Sequence, residues 1–164
     1  MNKHLRVLYV DYSLGFGGAV KSLSLMLQAL PSVEKFLFTS QDPEIIEAWF
    51  SGLRVFSFRR HINYRTTERL TNRLQHKPIR RAMWKMMAAA DLVSTSANFL
   101  RLLLFIKRNS IDIVHLNNGF IPPEALLAAG AARVPCVVHL RDFHLDAERL
   151  RYGAAHRVAK VITI

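Results

Sequence analysis

Residues 5–30 read LRVLYVDYSLGFGGAVKSLSLMLQAL: an apolar run, a polar and glycine-rich break, then a second apolar stretch of different period. Leu5 to Val10 form an unbroken apolar block, the pattern of a strand covered on both faces. From Ala19 to Leu30 the residues Leu23, Leu25, Met26, Ala29 and Leu30 recur at helical spacing, and the helix stops before Pro31. Gly15, Gly17 and Gly18 stand at the junction. Glycines that open a helix let an anion or a bulky group reach main-chain N–H donors that a Cβ would screen. The plainer alternative is a tight turn whose glycines serve close helix packing.

The unit then repeats. Lys35 to Thr39 (KFLFT) reads as a strand. Asp42 as N-cap and Pro43 at the first position open a helix through Phe50, which Gly52 ends, and Arg54 to Phe58 (RVFSF) makes a third strand. After a basic interval the alternation resumes with the strand IDIVHL, an Asn-Asn-Gly turn and a helix from Pro122 to Ala132. The strand CVVHL, the polar turn RDFHLD, another helix and the strand KVITI follow. Repeated strand–helix units predict an α/β fold, a single Rossmann-like, doubly wound parallel sheet.

A chain of 164 residues with 51% hydrophobic and 21% charged residues is one globular domain, spanning 1–164. Asp91 and Arg101 interrupt the longest candidate for a membrane span, and Asp11 breaks a very short N-terminal apolar stretch that is no signal peptide. Cys136 is the one cysteine and lies in an apolar run, which excludes a disulfide framework and argues against a catalytic thiol. These features fit a cytoplasmic protein. The net charge of +11 calls for an anionic partner: nucleic acid, a membrane surface or phosphate-bearing substrates.

That charge is concentrated in a helical segment at 59–109. From Arg59 to Lys85 the one acid is Glu68, and Arg65, Arg69, Arg73 and Lys77 recur every four residues along a helix face. Pro78 starts another helix, where Arg80, Arg81, Trp84 and Lys85 form a cationic, aromatic side. Ile79, Ala82, Met83, Met86 and Met87 supply an apolar one. Such a helix suits an anionic headgroup layer; the alternative is a solvated basic face over a Met-rich core stripe. Ser96 is expected to cap a further helix running to Arg108 and closed by Asn109. Its all-round apolar stretch, Phe99 to Ile106, is too short to span a bilayer and is expected to lie buried between sheet and neighbour.

Two nucleotide-binding readings of the glycine turn fail. Val20 occupies the third glycine position of the dinucleotide fingerprint, and four residues separate the strand from Gly15. The second strand ends in Thr39-Ser40-Gln41 without an acid for a ribose. No Gly-Lys-Ser/Thr occurs, so a Walker loop is absent.

Three stretches fit another pattern. VLYVDYSLGFGGAVKSL resembles the first strand and Gly-Gly-Ala helix entry of the N-terminal domain of GT-B fold glycosyltransferases, in particular the retaining family 4. IDIVHLNNGFIPPEALLAAGAARVPCVVHLRDF is similar to that family's Asp-Ile-Val-His strand, its helix and its Pro-Val-Val strand. RVAKVITI resembles the strand before the linker to the second domain. The resemblance covers nearly all of the chain except its basic middle. It implies the N-terminal half of a GT-B fold, the acceptor-side domain, with the C-terminal donor-binding domain absent from these 164 residues and expected to complete it.

The implied reaction moves a hexose from a nucleotide-sugar to a hydroxyl of a lipid-linked or polysaccharide acceptor, with no metal or other cofactor. Backbone donors of Gly17 and Gly18 would face the donor diphosphate or the acceptor. Further polar residues follow strand ends, where ligands gather in parallel sheets: Asp11, Asn117, Asn118, Arg141, Asp142 and His144. Asn118 keeps the family's Asn, whereas Asn117 and Arg141 stand where the family often has His. Arg141 could clamp an acceptor phosphate, and Asp142 or His144 could orient or deprotonate the hydroxyl. Alternatively Asp142 and Asp146 merely cap the next helix. A metal site of His139, Asp142 and His144 is disfavoured because the residues alternate faces. His115 and His139, inside apolar strands, read as core histidines.

The implied contact of Arg80, Arg81, Trp84 and Lys85 is with an anionic acceptor or, peripherally, with the inner face of a membrane. Alone, the chain is expected to be inactive, because the family's paired glutamates and most donor contacts lie in the second domain. The alternative function is a non-catalytic basic module for an anionic membrane or nucleic acid; no nucleic-acid motif supports the latter. An NAD-type oxidoreductase ranks third. Composition leaves the sugar, the nucleotide and the oligomeric state open.

Overall fold

The computed structural model describes residues 4–12, 17–57, 77–119, 122–140 and 160–163. The elements are β1 (Leu5–Asp11), α1 (Gly18–Gln28), β2 (Val33–Thr39), α2 (Pro43–Phe50), β3 (Arg54–Ser57), α3 (Lys77–Arg108), β4 (Ile113–Leu116), α4 (Pro123–Ala132), β5 (Cys136–Leu140) and β6 (Lys160–Thr163). The strands form one six-stranded parallel sheet in the order β3-β2-β1-β4-β5-β6. The doubly wound α/β fold expected from the strand–helix rhythm is the one observed.

Residue alternation along each strand feeds two cores. Val7, Tyr9 and Leu37 face α1 and α2, packing on Val20, Leu23, Leu27 and Phe50. Leu8, Val10, Phe36, Val114, Leu116 and Val138 face the other way, onto Leu102 and Ile106 of α3 and the small face of α4 at Ala125, Ala128 and Ala129. Each large side chain buried this fully stabilises the fold by about 2 kcal/mol. The alanines let α4 sit close to the sheet, and α3 packs along α4.

Turns follow the local chemistry. Asp42 occupies the N-cap of α2 as expected, but through its backbone: its carbonyl accepts from Ile45 and Ile46, and its side chain makes no cap bond. Gly52 (φ 80) and Gly119 (φ 71) close turns in the left-handed region, where a Cβ would be strained. Gly119 also donates its N–H to the His139 carbonyl at 2.9 Å, fastening the turn after β4 to β5.

The basic middle departs from expectation at two points. Ser96 does not begin a helix; it lies inside α3, which runs unbroken from Lys77 to Arg108. The run MMAAADLV before it is mostly Met, Ala and Leu, good helix formers, without glycine or proline, so the chain has no cause to stop. Nor is Phe99–Ile106 buried all round. Leu102 and Ile106 are fully buried, whereas Leu100 and Leu104 are 55% and 50% exposed. The arginines at 65, 69 and 73 lie outside the described residues.

Candidate functional site

The order of the strands reverses at β1: β2 lies on one side, β4 on the other. At such a switch point the loops leave in opposite directions and a crevice opens beyond the carboxyl ends of the strands. Three polar residues meet there. Asp11 ends β1 and is wholly buried. Its Oδ1 accepts from Asn117 Nδ2 at 3.0 Å and its Oδ2 from Gln41 Nε2 at 3.2 Å. Asn117, just past β4, also turns Nδ2 to the carbonyl of Ala19 at 3.3 Å, in the first turn of α1. Its backbone N–H extends the ladder to the Val10 carbonyl at 2.9 Å. One buried carboxylate thus ties together the ends of β1, β2 and β4, and Asn117 holds the start of α1 against them.

Gly17 is the N-cap of α1 and Gly18 its first residue; no side chain caps the helix, and its first turn carries no acid. Gly17 is extended (φ −158, ψ −173), a conformation open to any residue. A Cβ built on either glycine meets nothing within 4 Å among the described residues. Neither backbone geometry nor helix packing therefore requires these glycines, contrary to the close-packing reading of the turn. Among the described residues both Cβ positions are open, at a helix start where the dipole favours negative charge. Asn118, half-buried, follows Asn117 at the same edge. The structure thus brings Gly17, Gly18 and Asn118 to one end of the sheet.

Beneath the carboxylate lies a row of polar rings. Tyr9 and His115 are register partners on β1 and β4, with ring centroids 5.3 Å apart in an edge contact. The His115 and His139 rings follow at 5.9 Å. Both histidines are buried, as read from the sequence. Burial raises the Tyr9 hydroxyl above its ordinary pKa. Cys136 is buried too, and desolvation pushes its thiol up to about 12, so it is no nucleophile.

Arg141, Asp142 and His144, expected to bind or activate an acceptor, lie outside the described residues, as does Asp146. They follow β5 directly, the strand next to β4. Of the basic set, Lys85 is exposed on α3, while Arg80, Arg81 and Trp84 are placed only by their backbone on the same helix. The described residues contain no cluster of metal-ligating side chains and no helix long and apolar enough to cross a membrane. Sequence reasoning missed one participant, Gln41, which counted there only as the absence of an acid. Glu124, fully buried in the first turn of α4, was not singled out.

No protein-family model and no curated protein matches the chain. Solved structures do. A glycosyltransferase from Rickettsia africae superposes with a TM-score of 0.63 and 13% identity over 99% of this chain and 37% of its own. UDP-N-acetylglucosamine 2-epimerase gives 0.60 and 17% over 98% and 42%. Anabaena HepE, crystallised with UDP and glucose, gives 0.57 and 18% over 96% and 37%. The fold is that of a GT-B half-domain. At these identities the likeness is one of fold, and the chain spans about two fifths of the length of the structures it matches.

Proposed function

We propose that this chain is the acceptor-side half of a nucleotide-sugar-dependent glycosyltransferase. It would take part in moving a hexose to a hydroxyl of a lipid-linked or polysaccharide acceptor and need a second Rossmann-like domain for turnover. The observation that carries this reading is that, among the described residues, the Cβ positions of Gly17 and Gly18 at the switch point, beside Asn118, are open. A helix start without side chains at these positions suits a diphosphate, whose oxygens approach main-chain donors without displacing a side chain. Gln41 weighs against a nicotinamide cofactor: the residue beyond β2 is an amide directed at Asp11, not a carboxylate awaiting a ribose.

In this reading the chain contributes positioning and electrostatics. The amides at Gly17 and Gly18 stabilise charge on the departing diphosphate or on a phosphorylated acceptor, and Asn118 orients the acceptor. Arg141 would hold an acceptor phosphate, and Asp142 or His144 would take the proton of the attacking hydroxyl. The basic start of α3, with Arg80, Arg81, Trp84 and Lys85, would face an anionic acceptor. No metal or cofactor enters the scheme. Solved neighbours that are called glycosyltransferases support the assignment, though the epimerase among them shares the fold.

The test uses Gly17→Ala and Gly18→Ala. Both are expected to leave the unfolding free energy within about 1 kcal/mol of the parent, because the added methyl meets nothing within 4 Å among the described residues. Both should weaken UDP binding to the chain, or transfer in the two-domain protein, about a hundredfold. Unchanged binding in a variant that folds normally would refute the diphosphate assignment.

A further inference from the structure

The outer side of α3 carries a repeat that neither the core nor the switch-point crevice uses. Ile79, Met86, Val93 and Leu100 lie seven residues apart, and each is followed four residues later by Met83, Ala90, Ala97 or Leu104. These are alternating d and a positions of a heptad repeat, Ile79, Met86, Val93 and Leu100 at d and Met83, Ala90, Ala97 and Leu104 at a. They face outward. Met86 is 72% exposed, Val93 70%, Leu100 55%, Ile79 51% and Leu104 50%; Ala90 and Ala97 are exposed as well, and Met83 is half-buried. The helix meets its own domain on a different face, through Asn98, Leu102 and Ile106. At 100° per residue that face stands roughly 150° around from the stripe.

We infer that this stripe is the docking seam for an acidic amphipathic helix of another protein, laid along α3 as in a coiled coil. The shape supports a helix. Two successive a positions, Ala90 and Ala97, are alanine, so a partner backbone can approach closely at the middle of the seam, with larger side chains at both ends. The stripe is also bounded: exposed Lys85 lies to one side, exposed Arg101 and Arg108 to the other. A bilayer surface would fill the shallow alanine stretch poorly.

Charge selects the partner. Residues 77–108 hold seven basic residues and one acid, Asp91. A second copy would bring like charges together along about 38 Å of helix, in either direction, whereas glutamates at the flanking positions of a partner would meet these cations.

The experiment uses the whole 164-residue chain and a labelled four-heptad helical peptide, with Ile at a, Leu at d and Glu at e and g, followed by fluorescence anisotropy. The expected result is saturable binding that falls at least tenfold for Val93→Lys. That variant adds attraction for an acidic peptide while it breaks the seam, and its circular dichroism melt should match the parent because the site is exposed. A peptide with Lys at e and g should bind at least tenfold more weakly. Equal or tighter binding by Val93→Lys would reduce the effect to charge alone and overturn the inference. So would a dimer of the chain, seen by sedimentation and abolished by Val93→Lys, or seam-dependent capture by phosphatidylglycerol vesicles without peptide binding.

Discussion

The two edges of this sheet are held by different physics. At the amino edge, Arg6 Nε contacts Glu34 Oε2 at 2.8 Å with both side chains about a third exposed. Arg6 Nη1 also reaches the Asn109 carbonyl at 2.9 Å, and Asp112 pairs with the Arg6 backbone, donating N–H to its carbonyl and accepting its N–H at 2.9 Å. At the carboxyl edge, Asp11, Gln41 and Asn117 are almost wholly buried. Water can replace a lost partner at the first edge and not at the second. The amino edge is therefore a fastening that tolerates change. The carboxyl edge is a rigid polar floor beneath an open helix start, the arrangement a binding site needs.

The sharpest way to break this contrast is Asp11→Ala. It strips the acceptor from two buried amides and should lower stability by about 3 kcal/mol in urea unfolding. A loss under 1 kcal/mol would mean that the carboxyl edge is no more demanding than the amino edge. Asn117→Ala should instead loosen the start of α1, readable as faster amide exchange at Ala19 and Val20.

An intermediate effect is expected at Cys136, which opens β5 near the amino edge but faces the core. Its thiol is raised from 9.0 to about 12 by burial. The folded state thus keeps its proton where the unfolded chain releases it. Stability from this group is complete below pH 9 and falls as pH rises from 9 towards 12. Cys136→Ala should flatten that part of the pH profile, and the native thiol should resist alkylation at pH 8. The smallest effect is predicted for Arg6→Ala: under about 1 kcal/mol, and less in high salt, because the pair is partly solvated.

Particular residues show how far the sequence could be read. Leu5–Val10 and the spacing of Leu23, Leu25 and Met26 announced a strand and a helix because burial on two faces and on one face leave different periods. His115 and His139 were placed in the core for the same reason, and both are there. Ser96 misled because its capping preference counts only where a helix has to begin, and the preceding alanines and methionines carry the helix through. Leu100 and Leu104 misled because composition cannot tell a helix buried all round from one that keeps an apolar side free. Asp11 and Asn117 were visible as polar residues ending apolar strands, but their hydrogen bond joins positions 106 residues apart in sequence.

Local pattern thus determined the strand–helix alternation, the parallel sheet and the glycine start of α1, since each follows from side-chain period and backbone freedom over a few neighbours. Tertiary structure alone decided that β4 lies beside β1, that Gln41 and Asn117 converge on Asp11, and that one side of α3 remains uncovered. Those outcomes depend on contacts between distant segments, whose energies no short window of residues contains.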